Sequence, residues 1–188
     1  MKLMRIGAVG AERPVLLDNG RYLDLSAVTP DINAQFWSDG GLARVRAALT
    51  NDSLPPIEVA GQRIGAPIAK PDAVICIGMN YAAHAAETGT QLPEHLVMFY
   101  KAPNTVVGPD DDVLIPPGSV KTDWEIELGV VIGRRARYLR SPPRHWNTWP
   151  VTASPTTSPS AHSSWRSAAG SGRRARAVRR SIRSARCY

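Results

Sequence analysis

Glu125 and Glu127 are the residues most able to do chemistry in this chain. They sit in the run Lys121-Thr122-Asp123-Trp124-Glu125-Ile126-Glu127-Leu128-Gly129-Val130-Val131-Ile132-Gly133. From Trp124 to Ile132 the run is rich in large apolar and β-branched residues and it closes on glycine, so it predicts a buried strand. Positions i and i+2 of a strand share a face, which places the two carboxylates side by side. Left unpaired there, they would repel each other and suffer a heavy desolvation cost. A divalent cation makes the arrangement tolerable, and an all-oxygen donor set favours Mg²⁺, Mn²⁺ or Ca²⁺ over zinc. A solvent-facing strand whose carboxylates pair with arginines fits the same residues.

His84 and Glu87 form the second constellation. Their i, i+3 spacing puts them on one face of a helix. A carboxylate beside an imidazole raises its basicity and holds one tautomer, which suits a general base that activates water. A plain surface ion pair fits the spacing as well. Lys101 follows the apolar Met98-Phe99-Tyr100. It either presents an ammonium to an anionic substrate or blunts a strand edge.

The elements that must position these residues are legible as follows. Arg13–Leu17 and Arg21–Leu25 read as short strands around Asp18-Asn19-Gly20, and Asn-Gly is a strong hairpin turn. Gly41–Leu49 reads as a short helix that starts near Ser38 or Asp39. The prolines and glycines at 55, 56, 65 and 67 read as connectors, and a small N-terminal module ends near Lys70. A strand at Ala73–Ile77 opens a second unit, with Cys76 as a buried strand residue. The alanine-rich stretch from 82 predicts a short helix stopped at Gly89. Val97–Lys101 and Val113–Ile115 read as further strands, and Asp110-Asp111-Asp112 as a solvated turn.

Composition narrows the reading. The chain has 188 residues, 43% of them hydrophobic, and a net charge of +7. That charge is unevenly placed. Every acidic residue lies at or before Glu127, whereas residues 140–188 hold ten arginines and no Asp, Glu or Lys. Cys76 and Cys187 form no metal-binding spacing. The N-terminus has no sustained apolar stretch of the signal-peptide kind, and no run approaches the length of a membrane span. The cytoplasm is the expected compartment.

Taken together, Gly78-Met79-Asn80-Tyr81 with His84 and Glu87, Phe99-Tyr100-Lys101-Ala102-Pro103, Val107-Gly108-Pro109 and Lys121 through Gly129 resemble the fumarylacetoacetate hydrolase family. The likeness is closest to its bacterial branch of 2-hydroxyhepta-2,4-diene-1,7-dioate isomerases, 2,4-diketo-3-deoxy-sugar-acid hydrolases and ureidoglycolate lyases. The resemblance covers most of Met1 to Leu139. It implies an α+β, mainly β fold, in which a small β-rich N-terminal domain (1–70) precedes the N-terminal part (71–140) of a mixed β-roll. It implies Mg²⁺ or Mn²⁺ held by Glu125 and Glu127, His84 and Glu87 as the catalytic pair, and Tyr100 and Lys101 at the substrate. It further implies a homodimer acting on a small dioxo acid, with no nucleic-acid or membrane partner. The implied reaction is cleavage of a C–C bond in a 2,4-dioxo acid, with isomerase, decarboxylase and ureidoglycolate lyase chemistry as relatives.

Residues 141–188 break this pattern. The resemblance calls for a third metal-binding aspartate, a catalytic lysine and the rest of the roll after Leu139, and none is there. The segment instead reads as an arginine-, serine- and proline-rich disordered tail. One functional reading is a noncatalytic domain with a nucleic-acid-binding arm. The codon table favours another. Joining the third base of each codon to the first two of the next lets 145–152 encode Leu-Glu-His-Val-Ala-Gly-Tyr. The same shift lets 155–163 encode Asp-Asp-Val-Ser-Glu-Arg-Ala-Phe, and 172–188 permits a lysine-bearing continuation. These strings resemble the expected family sequence, so a base lost between about Leu139 and Arg144 is the expected origin of the tail. The incomplete roll predicts an unstable, essentially inactive product.

Overall fold

The computed structural model describes residues 1–87, 89, 91–120, 122–135, 137 and 138, together with 153–161 and 173–175. At 84, 85, 87, 122–126, 153–161 and 173–175 the description is of the backbone alone. The chain divides into two compact units, Met1–Pro109 and Asp110–Tyr188.

The first unit begins with an antiparallel meander of β1 (Lys2–Ile6), β2 (Arg13–Asp18) and β3 (Arg21–Asp24). The predicted hairpin is present, with Asp18 opposite Arg21. Asn19 (φ 48°) and Gly20 (φ 79°) both take left-handed backbone. A two-residue type I′ turn needs that conformation at both positions. Two isolated bridges, Ile6 to Ile64 and Leu23 to Pro56, bring the 54–64 connector against both edge strands of the meander.

Two helices follow the meander, and β2 is enclosed on both faces, its consecutive Val15 and Leu16 being fully buried. The first, α1 (Ala34–Ser38), was not evident in the sequence pattern. Asn33 caps it, its side-chain oxygen accepting the Phe36 backbone N–H at 3.0 Å. The second, α2 (Gly41–Thr50), matches the expected helix but starts differently. Asp39 closes α1, and Gly40, left-handed at φ 71°, caps α2. Gly41 is required by packing, because a Cβ there would lie 2.2 Å from the Phe36 ring. Val15, Leu16, Leu25, Ile32, Phe36 and Val45 form the fully buried centre. The Phe36 and Trp37 rings meet edge to face at 5.0 Å, a favourable aromatic geometry.

A polar cluster lies beside this core. The Arg5 guanidinium donates to Asp31 twice, at 2.6 and 3.0 Å, to Glu12 at 3.2 Å and to the Ala66 carbonyl at 3.2 Å. Arg63 donates to the other Glu12 oxygen at 2.9 Å. Burial pushes the Glu12 carboxyl pKa up. Hydrogen bonds from Arg63 and from backbone N–H groups, with the Arg5 charge, outweigh that and leave it below the ordinary 4.5. The cluster ties β1, the β1–β2 loop and the connector to the 31–33 turn.

Beyond Ala69 the packing changes. Every fully buried apolar side chain among the described residues lies at or before that position. Strands β4 (Val74–Gly78) and β5 (Val97–Lys101) form an antiparallel ribbon, two-stranded among the described residues. Cys76, expected to be buried, is only half-buried in β4. Its ribbon has no second layer among the described residues, and that is the physical reason for the difference. Helix α3 (Ala82–Glu87) and a short 3₁₀ turn at Pro103–Thr105 complete the unit.

The second unit contains two antiparallel ribbons. Strand β6 (Val113–Ile115) pairs with β9 (Arg173–Ala175), and β7 (Thr122–Val130) with β8 (Ala153–Ala161). The sequence pattern predicts disorder throughout 141–188, so the extended backbone at 153–161 and 173–175 differs from expectation. Pro155 and Pro159 stand four residues apart in β8, so both missing N–H groups fall on one side of it. Such a strand serves only as a sheet edge. Every strand pair among the described residues is antiparallel.

Candidate active site

The candidate base pair is carried by a strand–turn–helix unit. Strand β4 ends at Gly78, where a Cβ would come within 3.2 Å of Val97 Cγ1 on β5. Met79 follows in left-handed backbone at φ 54°. For a residue with a Cβ that conformation costs about 1–2 kcal/mol, and such outliers cluster where a turn has to aim functional groups. Composition offers no signal for this turn, because glycine or asparagine is the usual occupant. Helix α3 then carries His84 and Glu87 one turn apart. Gly89, left-handed at φ 64°, returns its N–H to the Ala86 carbonyl at 3.2 Å and stops the helix as the sequence predicts. The side chains of His84 and Glu87 lie outside the described residues.

Strand β5 brings the next two candidates to the ribbon's end. Tyr100 stands opposite Ile75 and Lys101 opposite Val74. Tyr100 is exposed and Lys101 half-buried. Consecutive strand residues project to opposite faces, so the two flank the strand end from different sides.

Strand β7 carries Glu125 and Glu127 two residues apart, but the run expected to be a buried strand has Leu128, Val130 and Ile132 exposed, because β7 pairs only with β8 among the described residues. Glu125 is in register with Ser158 and Glu127 with Thr156. Alternation places Glu125, Glu127 and Gly129 on one face and Leu128 and Val130 on the other. Glu127 is half-buried while Leu128, Val130 and Ile132 are exposed. Glu127 is therefore more enclosed than Leu128 and Val130, which alternate to the opposite face. The side chain of Glu125, and Lys121 altogether, lie outside the described residues. Oxygen donors at i and i+2 fit part of the coordination sphere of a hard cation. Among the described residues no three His, Cys, Asp or Glu side chains gather closely enough to hold a metal by themselves. The base pair belongs to the first unit and the carboxylate pair to the second. Asp110, Asp111 and Asp112 lie in or beside a turn, as predicted. No helix among the described residues is long and apolar enough to cross a membrane.

Comparison with known proteins bears directly on this segment. Residues 73–145, which include all six candidate residues, match the family model described as fumarylacetoacetate (FAA) hydrolase C-terminal. A curated Burkholderia multivorans protein, named only as a hydrolase, is 49% identical over 134 residues, covering 71% of this chain and 47% of its own length. A Burkholderia orbicola counterpart is 48% identical over 138 residues, covering 73% and 48%. The chain thus spans about half the length of the curated relatives it matches.

Solved structures agree. An HpcE-type protein from Mycobacterium smegmatis superposes with a TM-score of 0.56 at 33% identity, covering 70% of this chain and 46% of that one. Fumarylacetoacetate hydrolase from Exiguobacterium antarcticum gives 0.56 at 29%, covering 74% and 49%. Maleylpyruvate hydrolase from Sphingobium sp. SYK-6, solved with manganese(II) and pyruvate, shares the fold at a TM-score of 0.55 and 22% identity, covering 74% and 52%. With the motif order, the matched segment and these likenesses in accord, the chain belongs to the fumarylacetoacetate hydrolase family of enzymes over the half of the relatives' length that it shares.

Proposed function

We propose that residues 1–139 are the N-terminal half of a metal-dependent enzyme that cleaves a C–C bond in a 2,4-dioxo acid, of acylpyruvate or diketo-deoxy-sugar-acid type. The observation that carries this reading is the pair Glu125 and Glu127 on one face of β7, inside the segment that matches the family. The two carboxylates supply hard oxygen donors for Mg²⁺ or Mn²⁺, and manganese accompanies pyruvate in one neighbour of this fold. When bound, the cation polarises the 2-oxo acid end of the substrate and stabilises negative charge that develops there.

The chain's own residues do the rest. Glu87 holds the His84 imidazole in the tautomer whose free nitrogen takes a proton from water. The water oxygen bonds to the distal carbonyl carbon, and the adjacent C–C bond breaks. A lysine supports protonation of the departing carbon, so the products are a carboxylic acid and a 2-oxo acid. Lys101 meets the substrate carboxylate, and Tyr100 offers its hydroxyl from the other side of the strand end. Isomerisation, decarboxylation or ureidoglycolate lyase chemistry would use the same charge-stabilising groups, and fold alone does not choose among them. The whole enzyme works as a cytoplasmic homodimer. The polypeptide with residues 140–188 as they stand lacks a third carboxylate ligand and is inactive.

The test is to restore the reading frame between Leu139 and Arg144 and to assay acylpyruvate hydrolysis with and without Mg²⁺ or Mn²⁺. Turnover should need the metal and fall by at least about 10²-fold in Glu125→Ala and in His84→Ala, in line with the loss of one electrostatic or general-base contribution. Unchanged turnover in Glu125→Ala refutes the metal assignment. Robust activity from the 188-residue chain refutes the assignment of inactivity.

A further inference from the structure

Backbone register gives the β7–β8 ribbon one face made of oxygen-bearing residues. Directly opposed residues of an antiparallel pair share a face. The pairing sets Asp123 opposite Ser160, Glu125 opposite Ser158 and Glu127 opposite Thr156. All six alternate to one side. Trp124, Ile126 and Leu128 alternate to the other, with Pro159, Thr157 and Pro155. Neither strand contains a lysine or arginine, so no base on the ribbon itself offsets the acids. Hydroxyl groups can donate to a carboxylate but carry no charge, and they leave the repulsion between neighbouring acids in place. A hard cation removes that repulsion and takes hydroxyl oxygens as ligands too.

We infer that Thr156 and Ser158 are cation ligands in this chain, forming with Glu125 and Glu127 a four-residue Mg²⁺ or Mn²⁺ site that loads without supporting turnover. The inference rests on Glu125 and Glu127 as the metal carboxylates and adds the opposite strand to them. Residues of one face recur about every 7 Å along a strand, and opposed Cβ atoms stand about 4.5–5.5 Å apart, so the four positions bracket one ion. Magnesium usually takes one or two carboxylates and keeps several waters. Two anionic and two neutral oxygens are therefore a sufficient set of protein ligands. The alternation within β8 puts Ser or Thr at 154, 156, 158 and 160. Ligation depends on the oxygen present and not on the reading frame that put it there. Neutral donors add no charge, so this site holds its ion less tightly than one with a third carboxylate.

The experiment titrates the full 188-residue chain with manganese(II) chloride and reads free Mn²⁺ by electron paramagnetic resonance, so no turnover is needed. One ion per chain is expected. Glu125→Gln and Glu127→Gln should each weaken binding at least about tenfold, since affinity follows the charge of the ligand set. Ser158→Ala and Thr156→Val should each weaken it about threefold, and together about tenfold. Ser158→Thr and Thr156→Ser keep the oxygens and should bind as the parent does, which separates lost ligation from lost folding. Thr157→Val, on the opposite face, should also leave binding unchanged. Absence of stoichiometric binding overturns the inference, as does equal loss in the variants that keep a hydroxyl. Weakening by the glutamine variants alone overturns it while leaving the carboxylate assignment intact. Binding that the glutamine variants do not change refutes both.

Discussion

Replacing Arg5 by methionine should unfold the N-terminal module far more readily than its position in an outer strand suggests. The side chain is only 9% exposed and makes contact with Asp31, Glu12 and the Ala66 carbonyl. Removing one member of a buried ion pair strands its partners and costs about 3–5 kcal/mol. Asp31 keeps 25% exposure and Glu12 keeps Arg63, which places this case near the lower end, about 3 kcal/mol. At about 1.4 kcal/mol per factor of ten, that is roughly a hundredfold change in the opening equilibrium. The assay is amide exchange at Leu16, fully buried in β2, under conditions where rate reports the opening equilibrium. The double change Arg5→Met with Asp31→Leu should recover much of the loss, since apolar replacement of a buried pair is often neutral. An acceleration below about tenfold in the single variant, or no recovery in the double, would refute the account of the cluster as a set of mutually dependent charges.

Other expectations follow from the same module. Glu12 has a folded pKa below its ordinary 4.5, so the stability it contributes is complete above about that pH and is lost as pH falls through the lower folded value. Acid titration of the Leu16 exchange rate should show this loss, and Glu12→Gln should remove its pH dependence. Phe36→Ala should destabilise the module by about 3–5 kcal/mol, read by urea unfolding, because a fully buried aromatic leaves a cavity. Gly41→Ala should cost at least about 1–3 kcal/mol in the same assay, since the added methyl collides with the Phe36 ring. Met79→Gly should stabilise the β4–α3 turn by about 1 kcal/mol through release of left-handed strain, measured as slower exchange in β4. Faster exchange there would contradict the strain assignment.

Local chemistry was readable from the amino-acid sequence wherever one short interaction decides the outcome. Asn19-Gly20 specifies its turn because both residues tolerate left-handed backbone. The runs 97–101 and 122–130 specify strands by their β-branched and aromatic content. The spacings 84/87 and 125/127 follow from helical and strand periodicity alone. Tertiary packing decided the rest. Gly41 is a contact residue only because α1 delivers the Phe36 ring to it, and α1 is too short for periodicity to reveal. Met79 takes its conformation from the turn between β4 and α3, against its own preference. Burial was the least readable property: β4 and β5 are as apolar as β2, yet only β2 is enclosed. Hydrophobicity states that a strand will be covered if a partner exists, whereas coverage itself depends on which other segments reach it.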